Sequence, residues 1–415
     1  MIMENLFNDD VKSLETYIMV KLKEKTAKLA EGLTKKGRAP ISLSMGAPTA
    51  NPPAILIEKL KEFLTEDNIH TYSVTRGETY FRQAVVKRMK ERFGVDLDAD
   101  KEVVSLLGSK DGLANLIRFL VTQKSEDKEK DIIMIPDPGY ASYASMIQCS
   151  GAKAYPIPLT KENDYQPDME DVMASLVSDG YDSKKVKAVI INYPNNPLGV
   201  SASKEYIKSI VDFCKKYHIL LIADAAYCDI YFDEAEKPFS VLEIEGAKDV
   251  TLEMFSLSKP YAITGWRLGW ACGNAGVVSC FAKAKSTIDN GIFKALQKAC
   301  AYIMDSVEGE EYLAQGNVAY KRKQAIMVKG LRELGWEIDD AKLPHTTFYL
   351  WLPIPRKYDS AFKFCEDVLE KSGIVIVPGD AFGSYGAGYF RLSYVCSDEK
   401  LQEVIDRLKA DGFRY

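Results

Sequence analysis

Lys259 stands in Ser256-Leu257-Ser258-Lys259, and Arg267 follows it inside Gly265-Trp266-Arg267-Leu268-Gly269. A lysine amine forms a Schiff base with an aldehyde. An arginine presents a rigid fork of donors that fits a phosphate, and the serine hydroxyls beside the lysine suit the same anion. The pairing describes a site for one small molecule that carries both an aldehyde and a phosphate.

Other polar clusters follow short apolar runs, where an open α/β sheet places its ligands. Gly108-Ser109-Lys110-Asp111-Gly112 reads as a turn opening a helix, whose first amides and dipole favour an anion. In Pro136-Asp137-Pro138-Gly139-Tyr140 the turn brings up an aromatic ring able to stack on a flat heterocycle. Tyr193-Pro194-Asn195-Asn196-Pro197 holds an amide between prolines, aimed to donate to a phenolate oxygen. Asp224, in Asp224-Ala225-Ala226-Tyr227, ends an apolar strand and needs a cationic or hydrogen-bonding partner such as a pyridine N–H. Arg391, in the apolar Tyr389-Phe390-Arg391-Leu392-Ser393, needs an anion, either a substrate carboxylate or a structural acid. Each cluster alone is compatible with a turn, a helix cap or a packed side chain. Together they match the separate parts of pyridoxal 5′-phosphate (PLP) and an amino-acid substrate.

The elements that must carry these residues alternate. Apolar spacing predicts helices at 54–65, 78–93, 111–123, 139–149, 166–178 and 203–217. Short apolar runs predict strands at 102–107, 131–135, 153–156, 188–192, 220–223 and 250–255. That alternation implies an α/β domain with a mostly parallel sheet flanked by helices. Before it stand an amphipathic helix at 11–36 and an extended piece at 41–46. After it come a long helical stretch at 291–334, strands at 347–352, 374–377 and 389–394, and helices at 358–372 and 398–411, a smaller α+β domain. The expected division is an N-terminal helix and joining segment (1–50), a large cofactor-binding domain (51–295) and a small C-terminal domain (296–415).

With 415 residues the chain can bury a large core. A net charge of −5 argues against a nucleic-acid partner. Lys21-Leu22-Lys23-Glu24-Lys25 reads as a solvated helix face. The eight cysteines form no C-x-x-C pair, so no zinc or redox motif is expected, and they suit a reducing compartment. Three histidines leave little for a histidine-based hydrolase or a metal centre. No signal peptide and no membrane span is expected, and the expected location is cytoplasmic.

The sequence from Gly46 to Arg391 closely resembles the fold type I PLP-dependent aminotransferases, class I/II. Ser256–Gly269 fits that family's lysine signature. Gly108-Ser109-Lys110-Asp111-Gly112, Ile288-Asp289-Asn290-Gly291-Ile292-Phe293 and Thr347-Phe348-Tyr349-Leu350-Trp351 are similar to its aspartate-, alanine- or LL-diaminopimelate-type branch. The resemblance implies a Schiff-base role for Lys259, with Asp224 on the pyridine nitrogen. It implies Tyr227 and Asn196 on the phenolic oxygen and Tyr140 on the ring. Gly108, Ser109, Lys110, Ser256 and Arg267 would hold the phosphate. Arg391 would bind the substrate α-carboxylate, helped by Asn196 and the Gly46 backbone. Tyr72 matches a tyrosine that reaches the neighbouring subunit's phosphate, which implies a homodimer with shared sites. The implied activity is ping-pong exchange of an amino group between an L-amino acid and a 2-oxo acid such as 2-oxoglutarate. The chain departs from the pattern at Asp111, at Leu198 and in the loop 47–53, and no arginine near 288–293 awaits a distal carboxylate. A carbon–sulfur β-lyase on the same fold uses the same lysine and cofactor, whereas a non-catalytic PLP-binding sensor is expected to lack Lys259 or Arg391, and both are present.

Overall fold

The computed structural model describes residues 6–124 and 126–415. Its strands are β1 (Ile41–Ser42), β2 (Val103–Leu106), β3 (Ile132–Asp137), β4 (Lys153–Pro158), β5 (Val186–Ile191) and β6 (Leu220–Asp224). They continue as β7 (Thr251–Ser256), β8 (Gly269–Gly273), β9 (Tyr349–Pro353), β10 (Ile374–Val375), β11 (Val377–Pro378) and β12 (Tyr389–Ser393).

Seven strands form one sheet in the order β2-β8-β7-β6-β5-β3-β4. β7, β6, β5, β3 and β4 pair in parallel, and β8 runs antiparallel to both neighbours. β6 and β7 are buried almost throughout, as parallel strands covered on both faces must be. The helix Lys204–Tyr217 shows how the cover is made. Ser203 caps its first turn by accepting from Tyr206 N, and Ile207, Ile210, Val211 and Cys214 fall on the buried face.

This topology gathers the polar clusters. β2, β3, β5, β6 and β7 all end at the same edge of the sheet, so the residues that follow them meet there. β8 runs the other way and begins at that edge, with Ser256 opposite Gly269. The whole β7–β8 connection, including Lys259 and Arg267, therefore lies over it.

The second domain is built on the antiparallel sheet β11-β12-β9. β1 pairs in parallel with β10, so the residues near position 41 join this domain although they precede the large sheet. Its core includes Leu331, Trp336, Phe348, Phe364, Phe390 and Phe413, and it extends to Tyr227 and Ile230 beside the large sheet's edge.

The fold class agrees with the sequence reading, and several elements differ in detail. The strand β8 escaped prediction because it is short and framed by glycines. A Cβ at Gly269 or Gly273 would overlap a β7 carbonyl, so close backbone approach selects those residues. The helix expected at 11–36 is broken into Asp9–Lys12 and Ile18–Lys35. Tertiary contacts override its periodicity: the Gln148 amide donates to Asp10 O and Ser13 Oγ, and Lys130 pairs with Asp10. The stretch at 291–334 is two helices, Lys294–Met304 and Val307–Glu333, because Ser306 caps the second by accepting from Gly309 N. The strand expected at 374–377 splits into β10 and β11, which belong to different sheets.

Candidate active site

A cavity of about 480 Å³ opens over the shared strand edge. Gly46, Ser109, Lys110, Tyr140, Asn196, Asp224, Tyr227, Ser256, Lys259, Arg267 and Arg391 all line it. Residues more than three hundred positions apart thus meet in one place, because β1, β10 and β12 bring both chain ends to the large sheet's edge.

Lys259 donates to Gly46 O at 2.5 Å. Burial lowers its pKa to about 8, helped by the charges of Arg267 and Arg391 and opposed by Asp224. Asp224 ends β6 fully enclosed. Burial raises its pKa to about 6, against a hydrogen bond from Tyr143, the Ala226 amide and the charge of Lys259. Tyr143 donates to Asp224 Oδ2 at 2.7 Å. Asp224 Oδ1 is buried and has no hydrogen-bond partner among the described residues.

At one end of the cavity the helix Ser109–Leu120 starts after Gly108, which has φ 80°. A Cβ at Gly108 would overlap the Arg267 guanidinium, so the turn and the arginine are fitted to each other. Arg267 donates to Thr264 O at 2.8 Å and to Ser258 Oγ at 3.3 Å. Ser256 Oγ accepts from Ser258 N, so Ser258, rather than Ser256, presents its hydroxyl to the arginine. Free amides, an arginine and hydroxyls at a helix start make an anion site. The Lys110 ammonium faces the rings of Tyr17 and Tyr140, 5.4 and 6.0 Å from their centroids.

At the other end Arg391 is 4% exposed. It donates to Asn196 Oδ1 at 2.7 Å and to Ser44 O. Its guanidinium lies between the rings of Tyr349 and Phe382, 4.4 and 4.7 Å from their centroids. Its Nε has no partner among the described residues. Because Asn196 gives its carbonyl to Arg391, its amide remains free to donate into the cavity. The Tyr227 hydroxyl hydrogen-bonds the Tyr349 hydroxyl at 2.8 Å. A Cβ at Gly46 would overlap that Tyr349 hydroxyl.

Tyr72 does not enter this cavity. It is 84% exposed on a surface formed by the segments 70–76 and 288–294, which Thr75 and Asp289 O join. The sequence reading missed Tyr17, Asn192, Tyr349 and Phe382, which line the cavity, and Tyr143, which holds Asp224, while Ser258 is one of the serine hydroxyls it assigned to the anion. Two of them carried a readable signal. Asn192 directly follows β5 and donates to Asp224 O at 2.8 Å, and Tyr143 lies one helical turn beyond Tyr140. Tyr17 sits far from any predicted strand end, and Phe382 follows a strand predicted in the small domain, away from the large sheet's edge, so neither announced a place in the site. Among the described residues there is no cluster of side chains suited to a metal ion, and no helix is long and apolar enough to cross a membrane.

A lysine of lowered pKa, a buried carboxylate and an arginine at a helix start meet at one edge of the large sheet, and Arg391 reaches them from β12. The chain belongs to the aminotransferase class I and II family, whose model matches residues 38–408, and it is a transaminase of fold type I. It is 39% identical to an LL-diaminopimelate aminotransferase of Moorella thermoacetica, over 96% of both chains. It is 38% identical to LL-diaminopimelate aminotransferase 2 of a Nostoc species, over 99% of both. Among solved structures, substrate-bound BacF from Bacillus subtilis superposes with a TM-score of 0.89 at 30% identity, covering 98% of each chain.

Proposed function

We propose that this cavity binds PLP and exchanges an amino group between an L-amino acid and a 2-oxo acid in two half-reactions. The observation that carries the reading is Asp224 Oδ1, buried without a donor in the same cavity as the low-pKa Lys259. A protonated pyridine nitrogen supplies the missing donor. When bound, PLP acts as an electron sink for the pair released at the substrate Cα.

The chain's own residues do the rest. Asp224, held by Tyr143, would face the pyridine nitrogen as an anion and favour its protonated form. Tyr140 would lie against the ring, and Tyr227 and the Asn196 amide would face the phenolic oxygen. Gly108, Ser109, Lys110 and Arg267, with Ser256 and Ser258, would hold the phosphate. Lys259 Nζ, as the neutral amine, would hold the aldehyde group. When free of it, the same amine would be the general base for the substrate Cα proton. Arg391 clamps the α-carboxylate, with Asn196 and the Gly46 backbone alongside, and so orients the bond to be broken.

The donor is an amino acid of the aspartate, alanine or diaminopimelate type, in keeping with the names of the 38–39% identical relatives. A diaminopimelate-like donor and 2-oxoglutarate both end in a distal carboxylate. Lys110, which lines the cavity beside Tyr17 and Tyr140, offers that group a cation in addition to its place in the phosphate set. The exposed Tyr72, with Val74, Ile288 and Phe293 beside it, supports a homodimer in which Tyr72 completes the neighbour's phosphate site. A division into 1–50, 51–295 and 296–415 and a cytoplasmic location complete the reading.

The test is a visible spectrum of the purified protein with PLP, before and after adding single amino acids without an oxo acid. A yellow band that bleaches with one donor, and returns with 2-oxoglutarate, is expected. No band after incubation with PLP would overturn the reading.

A further inference from the structure

The turn Pro136–Tyr140 has a second task. Asp137, at the end of β3, sends its carboxylate into the second domain. Its Oδ2 accepts from Ser384 N and Ser384 Oγ, both at 3.0 Å, and its Oδ1 accepts from Tyr385 N at 2.9 Å. Beside them, Gly139 N donates to Phe382 O at 2.8 Å. Asp137 is 9% exposed, and a Cβ at Gly383, which has φ 134°, would overlap its carboxylate. A buried carboxylate accepting several short hydrogen bonds across a domain boundary is a directional clamp.

Both ends of the clamp lead into the cavity. On one side, Asp137 is followed within one turn by Tyr140. On the other, the clamped turn 379–386 carries Phe382, whose ring lies on the Arg391 guanidinium. Trp351 packs edge-on against Phe382, with centroids 5.9 Å apart, and stacks on Tyr389 of β12. A break at Asp137 would free the turn, shift Phe382 and leave one face of Arg391 unsupported.

We infer that Asp137 is a positioning residue that latches the turn 382–386 to the large domain and so holds Arg391 in aim for the substrate carboxylate. It does not line the cavity. The inference rests on the proposed carboxylate role of Arg391, and one readout below is independent of it.

The experiment compares wild type with Asp137→Ala, Asp137→Asn and Gly383→Ala. Amide hydrogen exchange of the cofactor-free proteins is read first. Protection at Ser384 and Tyr385 is expected to fall in Asp137→Ala and Gly383→Ala, with little change in the strands of the large sheet. In the PLP-loaded enzymes, KM for the amino donor and the inhibition constant of succinate are expected to rise together, about tenfold or more in Asp137→Ala. kcat should change only a few-fold, and PLP should survive dialysis. Asp137→Asn keeps one acceptor of two and should fall between. Gly383→Ala attacks the latch from the other domain and decides the matter if Asp137→Ala fails to fold. Unchanged exchange at 384 and 385 would overturn the latch. Altered exchange with KM and the succinate constant within about twofold of wild type would overturn its link to Arg391. A wild type that takes up no PLP would instead overturn the functional reading and leave the exchange result standing.

Discussion

Lys259, Asp224 and Asn196 leave the ends of parallel strands, whereas Tyr17, Phe382 and Arg391 reach the same cavity from segments outside the large sheet. The first group forms a floor. Its backbone is fixed by ladders on both sides, and its side chains hold one another, as Asn192 holds Asp224 O and Tyr143 holds Asp224 Oδ2. The second group forms a roof, whose position depends on how the second domain and the N-terminal segment lie against the floor. A floor of this kind suits chemistry that must not move, and a roof suits recognition of a part that enters and leaves. Substitutions in the floor should therefore act on cofactor and turnover, and those in the roof on substrate affinity.

The largest effect belongs to Lys259→Ala. It removes the attachment point and the base together. Turnover should fall about 10⁴-fold or more, and the band of the lysine-bound cofactor should vanish although PLP is still retained in part. A variant that transaminates at the native rate would break the assignment of the floor.

Arg391→Gln tests the other side. It removes a charged fork from a buried site whose partners are Asn196, Ser44 O and two aromatic rings. KM for the amino donor should rise about a hundredfold, in line with the loss of charge-assisted hydrogen bonds, and the PLP spectrum should persist. Loss of the cofactor instead would place Arg391 in the floor.

The same contrast explains what the sequence could show. Floor residues were legible because a polar residue right after an apolar strand is conspicuous, and parallel strands bring all such positions to one edge. Asp224, Asn196 and Lys259 are of this kind. The roof was legible only where a side chain contradicted its surroundings, as Arg391 does in an apolar strand. Tyr17 was hidden because the spacing from 11 to 36 reads as one helix, and the break that places Tyr17 is imposed by Gln148 and Lys130. Asp137 read as a turn former, since nothing local announces that its partners are Ser384 and Tyr385. β8 was lost for a third reason: its glycines serve the approach of β7, a demand that belongs to the neighbour strand.

Cofactor loading tests the floor at smaller scale. Only the neutral Lys259 amine attacks an aldehyde, and its pKa is pulled down to about 8 by burial and by Arg267 and Arg391. The rate at which the cofactor-free protein gains the lysine-bound band should rise with pH and level off above about pH 8. Below that, each pH unit should slow it about tenfold. An exposed lysine would keep accelerating to about pH 10. Asp224 opposes the shift, so Asp224→Asn should move the plateau lower still. A plateau that stays near pH 10 would mean that the floor does not enclose Lys259.

The smallest effect is the sharpest test of the roof. Tyr17 lines the cavity, faces the Lys110 ammonium with its ring and has Ser142 and Tyr140 as polar neighbours of its hydroxyl. Tyr17→Phe keeps the ring and removes only the hydroxyl, so KM for the donor should rise a few-fold, the scale of one neutral hydrogen bond. Tyr17→Ala also removes the ring against which Lys110 rests, and KM should rise further for a donor with a distal carboxylate than for alanine. In both variants kcat and PLP retention should stay near wild type, because the strand ends below are untouched. A Tyr17→Ala enzyme that binds substrate normally but sheds PLP would invert the comparison. The N-terminal segment would then belong with Asp224 and Lys259, as part of what holds the cofactor.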